Sequence, residues 1–142
     1  MFFRPRPLWS RIASTACLLS LACGTGCAKR PSPHGVTLVP VSGQVLFKEQ
    51  PVEGATIVFI PQDQQHAAAA HTDADGNFTL QTFEPADGAV PGSYQVTVKK
   101  FYFIGDTEYQ NLPEQYGVPG TSGLVGTISK DGPNHFEFLL HE

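Results

Sequence analysis

From Val41 onward, apolar and polar positions alternate with a period of two. Val41, Gly43, Val45 and Phe47 fall on one side, and Ser42, Gln44, Leu46 and Lys48 on the other. That pattern predicts a strand with one buried face. Lys48 to Pro51 reads as a turn. Ala55 to Ile60 is almost wholly apolar and predicts a central strand, stopped by Pro61, which cannot donate to a ladder. The run His66 to His71 contains four alanines, which favour helix, but six residues are marginal as a helix. With Asp73 to Asn77 read as a hairpin turn behind it, a short strand is predicted there. Phe78 and Leu80 then point inward, and Glu84 to Val90 is a loop. After Pro91-Gly92, Tyr94, Val96 and Val98 alternate with Gln95, Thr97 and Lys99 in the clearest strand of the chain. Residues 101–123, with Pro113, Pro119 and four glycines, read as a long connection. Leu124 to Ser129 and His135 to Leu140 are the last two strands, the latter with Phe136, Phe138 and Leu140 on one face. The expectation is an all-β, seven-stranded Greek-key β-sandwich. Tyr94, directly after a Pro-Gly turn, resembles a tyrosine corner, whose hydroxyl bonds nearby backbone.

The N-terminal third follows a different pattern. Arg4, Arg6 and Arg11 precede an apolar and small stretch, Ile12 to Ala22, with no acid before Glu49. A basic segment followed by an 11-residue apolar one is a secretory signal pattern, and it is too short for a stable transmembrane helix. Leu19-Ser20-Leu21-Ala22-Cys23 resembles a bacterial lipobox, in which the cysteine receives a lipid and becomes the first mature residue. Thr25-Gly26-Cys27 is the alternative, so lipid attachment is expected at Cys23, or else at Cys27. Gly24 after Cys23, rather than Asp, implies sorting to the outer membrane or periplasm. Residues 1–22 are thus expected to be a lipoprotein signal peptide, 23–39 a flexible, Pro-punctuated tether, and 40–142 the folded domain.

Composition sharpens this picture. Hydrophobic residues make up 41% of the 142-residue chain and charged residues 15%, which suits a packed single domain rather than a disordered chain. All three cysteines lie in the first 27 residues, so neither a disulfide framework nor a thiolate metal site is expected in the domain. Beyond residue 22 there are six basic and thirteen acidic side chains. That balance argues against nucleic-acid binding, which needs basic patches.

Four segments in order carry a family resemblance. They are Val41-Ser42-Gly43-Gln44-Val45, Pro51-Val52-Glu53-Gly54-Ala55, Thr72-Asp73-Ala74-Asp75-Gly76-Asn77-Phe78 and Pro91-Gly92-Ser93-Tyr94-Gln95-Val96-Thr97-Val98. Together they resemble the carboxypeptidase regulatory-like domain, a transthyretin-like sandwich. Leu112-Pro113-Glu114-Gln115-Tyr116, Thr121-Ser122-Gly123-Leu124 and Asn134-His135-Phe136-Glu137-Phe138 look like small lipoproteins of this class in planctomycete-type bacteria. The resemblance implies a non-catalytic module rather than a peptidase.

The pattern of chemistry-bearing residues agrees with that expectation. None of the five histidines has a glutamate three residues on, and no Gly-x-Ser-x-Gly or phosphate loop occurs. A hydrolase of the transthyretin-like fold ends in Tyr-Arg-Gly-Ser, whereas this chain ends Leu139-Leu140-His141-Glu142. Asp73 to Asn77 has a calcium-loop flavour, but Gly76 sits two positions too early and a strand follows, so a hairpin turn is expected. His66 and His71 read as surface residues. No catalytic residue, metal or cofactor is expected. Phe101, Tyr102, Phe103, Tyr109 and Tyr116 are candidates for a binding patch on a loop, directed at an envelope protein or a glycan. The alternative is that they cover the open end of the sandwich. The membrane itself is the expected partner of the N-terminal anchor.

Overall fold

The computed structural model describes residues 30–31, 34–63 and 66–142. The expected signal peptide and both candidate lipid-attachment cysteines, Cys23 and Cys27, lie outside the described residues. Strands are β1 (Arg30–Pro31), β2 (Thr37–Leu38), β3 (Val41–Phe47), β4 (Gln50–Pro51), β5 (Thr56–Pro61), β6 (Ala68–His71), β7 (Asn77–Thr79), β8 (Gly92–Lys99), β9 (Phe101–Ile104), β10 (Thr107–Gln110), β11 (Leu124–Ile128) and β12 (Asn134–Leu140). The protein is an all-β sandwich. One sheet has the order β11-β8-β5-β6, and the other runs β12-β3-β4 with β7 also on β3. Each of the seven runs anticipated from the sequence contains a strand. No helix among the described residues is long and apolar enough to cross a membrane.

The inner faces follow from the period-two pattern. Val41 and Val45 of β3, Ile57 and Phe59 of β5, Tyr94, Val96 and Val98 of β8, and Phe138 and Leu140 of β12 are all buried. Phe59 is the hub. Its ring lies 5.6–6.3 Å from those of Phe78, Tyr94, Phe136 and Phe138. These are the offset and edge-on spacings that aromatic quadrupoles favour. Room for that ring comes from β11, where a Cβ on Gly126 would stand 2.7 Å from Phe59 Cε1.

Two expectations change. Residues 37–39, read as the end of a flexible tether, belong to the folded body. Thr37–Leu38 is a strand, Leu38 and Val39 are buried, and Val39 exchanges backbone hydrogen bonds with Ala89 at 2.9 and 3.0 Å. The run Val36-Thr37-Leu38-Val39 is apolar and β-branched, and burying it outweighs the neighbouring Pro and Gly. His34 also reaches the body, its ring 4.1 Å from that of Phe83. Second, residues 101–123 are not an unstructured connection. They contain the hairpin β9–β10 and a 3-10 turn at Glu114–Gly117.

The loop after β7 is organised by Asp87. Its carboxylate accepts backbone N–H bonds from Thr82 at 2.6 Å, Phe83 at 2.9 Å and Glu84 at 2.8 Å. Burial opposes the charged form, but these N–H donors outweigh it and hold the carboxyl below its ordinary pKa.

Candidate functional site

The β9–β10 hairpin begins almost where β8 ends. Ile104 pairs with Thr107, Phe103 with Glu108, Tyr102 with Tyr109 and Phe101 with Gln110. The two-residue turn is Gly105-Asp106, and Gly105 takes the left-handed φ of 63° that such turns require. The hydrogen bond from Asn111 N to Lys100 O, 2.8 Å, closes the base. Side chains alternate across the ribbon. Tyr102, Ile104, Thr107 and Tyr109 share one face, while Phe101, Phe103, Glu108 and Gln110 share the other.

Neither face is buried. Phe103 and Ile104 are 66% and 63% exposed, and Phe101, Tyr102 and Tyr109 are each 42% exposed. Tyr102 and Tyr109 stack on one another, centroids 5.4 Å apart and planes 20° from parallel. An isolated two-stranded ribbon is marginal in water, and here its apolar side chains do not repay it by burial. Phe101 also borders a groove of about 330 Å³ on the outer face of the β11-β8-β5-β6 sheet, with Val58, Ile60, Thr97 and Pro119.

Four of the five aromatics expected to form a patch therefore lie on one hairpin, two on each face, Tyr102 and Tyr109 on one and Phe101 and Phe103 on the other. The fifth does not. Tyr116 is buried at 7% exposure, turned inward by the 3-10 segment. Its hydroxyl donates to His141 O at 3.1 Å and accepts from His141 N at 2.9 Å, so it ties down the C-terminal end instead. Nor is the patch a loop. It is a paired ribbon, and its rings stand on hydrogen-bonded backbone.

The remaining candidates have structural partners. One carboxylate oxygen of Asp73 accepts the N–H groups of Asp75 and Asn77, both at 2.9 Å, and Gly76 N bonds Asp73 O. This is the expected turn, with φ of 75° at Gly76. No cluster of three or more His, Cys, Asp or Glu fit to hold a metal occurs among the described residues. His66 packs edge-on against Phe83, and His71 Nδ1 lies 3.2 Å from Thr56 Oγ1. Tyr94 does what a tyrosine corner does: its hydroxyl donates to Val90 O at 2.7 Å. Burial, reinforced by the negative charge of Asp63, pushes its pKa up to about 12.

One pairing is invisible from sequence. Ser42 Oγ lies 3.1 Å from His135 Nδ1, across the parallel strands β3 and β12. Both border a groove of about 570 Å³ that Lys130 and Asp131 also line. A serine beside a histidine is the start of a nucleophile–base arrangement. No third side chain orients this imidazole among the described residues, and the similar Thr56–His71 contact marks such pairs as ordinary cross-strand neighbours here.

No family model, curated protein or solved structure matches this chain.

Proposed function

We propose that this protein is an exported, lipid-anchored β-sandwich that works as a non-catalytic interaction module at a bacterial cell envelope, with the β9–β10 hairpin as its recognition element. The carboxypeptidase regulatory-like resemblance and the lipobox-like segment ending at Cys23 support the class and the address. The observation that carries the reading is the hairpin itself. Large apolar side chains left exposed together on one short element, as Phe103 and Ile104 are on the two faces of this hairpin, mark places where a partner sits. Phe103 and Ile104 at its far end have no hydrogen-bonding groups in their side chains, so they suit an apolar pocket on a protein partner. Asp106 and Glu108 beside them favour a partner with basic residues at its rim.

The stacked Tyr102–Tyr109 pair supports a second reading, in which a glycan lies on the tyrosine face. Photo-crosslinking separates the two. A photoreactive residue at Phe103 should capture a discrete envelope protein in cells. If it captures none, while Tyr102→Ala and Tyr109→Ala abolish binding on a glycan array, the glycan reading replaces the first.

A further inference from the structure

A sheet edge is a row of unpaired backbone groups, and proteins normally guard such edges with charge, proline, short strands or cover. Three edges of this sandwich are guarded. The outer edge of β6 is covered, because Ala69 exchanges backbone bonds with Gln81, both 2.9 Å. On the side of β3 away from β12, the described residues place only the short strands β4 and β7. The β12 edge strand carries His135 and Glu137.

The fourth edge is different. β11 ends its sheet, and from Thr121 to Ser129 there is neither charge nor proline. Val125 on it is 67% exposed. The ladder tells which groups face outward. Gln62 N bonds Ser93 O, so Ser93 faces β5 and the next residue, Tyr94, faces β11. Tyr94 pairs with Gly126, so Gly126 is turned inward and Val125 and Thr127 present their N–H and C=O groups to the open side. One step further, the outward groups of Ser129 are already satisfied. Asn134 Oδ1 accepts from Ser129 N at 2.8 Å and Asn134 Nδ2 donates to Ser129 O at 2.9 Å, as a neighbouring strand would. Among the described residues, the fold thus closes the end of this edge and leaves its middle open.

We propose that the open edge of β11 pairs antiparallel with β11 of a second copy of this chain, about a two-fold axis at Gly126. The segment is self-complementary in that register. Leu124 meets Ile128 of the other copy, Val125 meets Thr127, and glycine meets glycine. The outward-facing Val125 and Thr127 then fall at the hydrogen-bonded positions, where each pair exchanges both of its N–H···O=C bonds. Glycine falls at the non-hydrogen-bonded position, where the backbones approach closest. Like charges directly opposite destabilise a ladder, so in a chain with an acidic excess an edge without charge avoids repulsion by its own copy. This edge is such a place. Pairing would join two four-stranded sheets into one continuous sheet.

The test uses the purified full chain across a concentration series, with sedimentation and residue-resolved amide exchange. The expected result is a mass that doubles with concentration. Over the same range Val125 and Thr127 amides should slow about tenfold or more, while Gly126, already bonded to Tyr94, changes little. Val125→Lys should remain monomeric throughout. So should Thr127→Pro, since that N–H serves no bond among the described residues of one copy. A chain that stays monomeric at every concentration overturns the proposal. So does a dimer in which Val125 and Thr127 exchange freely, or one that survives Val125→Lys. None of these outcomes bears on the hairpin, which lies elsewhere on the surface.

Discussion

The ring of Phe78 fills the space in which Gly43 would carry a side chain. The two residues are paired across β3 and β7, and a Cβ on Gly43 would collide with the Phe78 ring and with the carbonyl oxygen of Phe136 on β12. The backbone carbonyl cannot swing aside, because it belongs to the β3–β12 ladder. Gly43→Ala should therefore cost about 3 kcal/mol or more, measured by denaturant unfolding. Phe78→Ala removes the ring from the Phe59 cluster and should cost about 3–5 kcal/mol by leaving a cavity.

Asp87 should be worth more than its half-exposed position suggests. Asp87→Ala strands three backbone N–H donors and should destabilise the domain by about 2–3 kcal/mol. Since its folded pKa lies below the ordinary value, its contribution is present above about pH 4 and is lost as the pH falls through the folded pKa. The wild-type stability, followed by urea unfolding from pH 6 to 2, should decline more steeply than that of Asp87→Ala.

At the alkaline end the controlling group is Tyr94. Its pKa is raised to about 12 in the folded protein, so folding favours the neutral phenol. The benefit is complete below the ordinary phenol value of about 10 and is lost as the pH climbs toward 12, by at most about 1.4 kcal/mol per pH unit. Tyr94→Phe gives up the bond to Val90, costing about 1 kcal/mol at neutral pH. In exchange, most of the alkaline decline should vanish.

The turn between β3 and β4 can be improved. Lys48 and Glu49 both adopt left-handed φ, 50° and 65°, in a two-residue connection between the paired Phe47 and Gln50. Asn-Gly suits that geometry far better than Lys-Glu. Glu49→Gly should raise stability by about 0.5–1 kcal/mol in thermal or chemical unfolding.

Stability and recognition should come apart in the aromatic residues. Phe103→Ser with Ile104→Ser alters exposed side chains and should shift unfolding by no more than about 0.5–1 kcal/mol while abolishing partner capture. Tyr116→Phe should do the reverse. It removes the hydroxyl that both gives and takes a hydrogen bond at His141, lowering stability by about 1–2 kcal/mol with recognition intact.

The contrast between those aromatics explains what could be read without coordinates. Alternation located the core strands because each has one face in the interior. Tyr94 announced its role through the Pro-Gly turn before it. The hairpin escaped because Phe101 to Ile104 is apolar throughout and Thr107 to Gln110 is mostly polar, so neither strand alternates. A ribbon with no buried face has no reason to. Only Gly105-Asp106 hinted at its turn. Tyr116 was misplaced because its partner, His141, lies 25 residues away. For Ser42 and His135 the separation is 93 residues, and only the pairing of β3 with β12 joins them. Asp87 sits in an Asp-Gly dipeptide that signals a turn but not how many backbone donors its carboxylate collects.

That same pairing sets an order on assembly. Among the described residues, β3, the first long strand, runs parallel to β12, the last, over seven matched positions from Val41–Asn134 to Phe47–Leu140. Until β12 arrives, one side of β3 has nothing to bond and the Phe59 cluster lacks Phe136 and Phe138. Contacts this distant in sequence are formed late and slowly. A nascent chain would therefore stay open along its length, and the arrival of β12 would be the event that closes the sandwich.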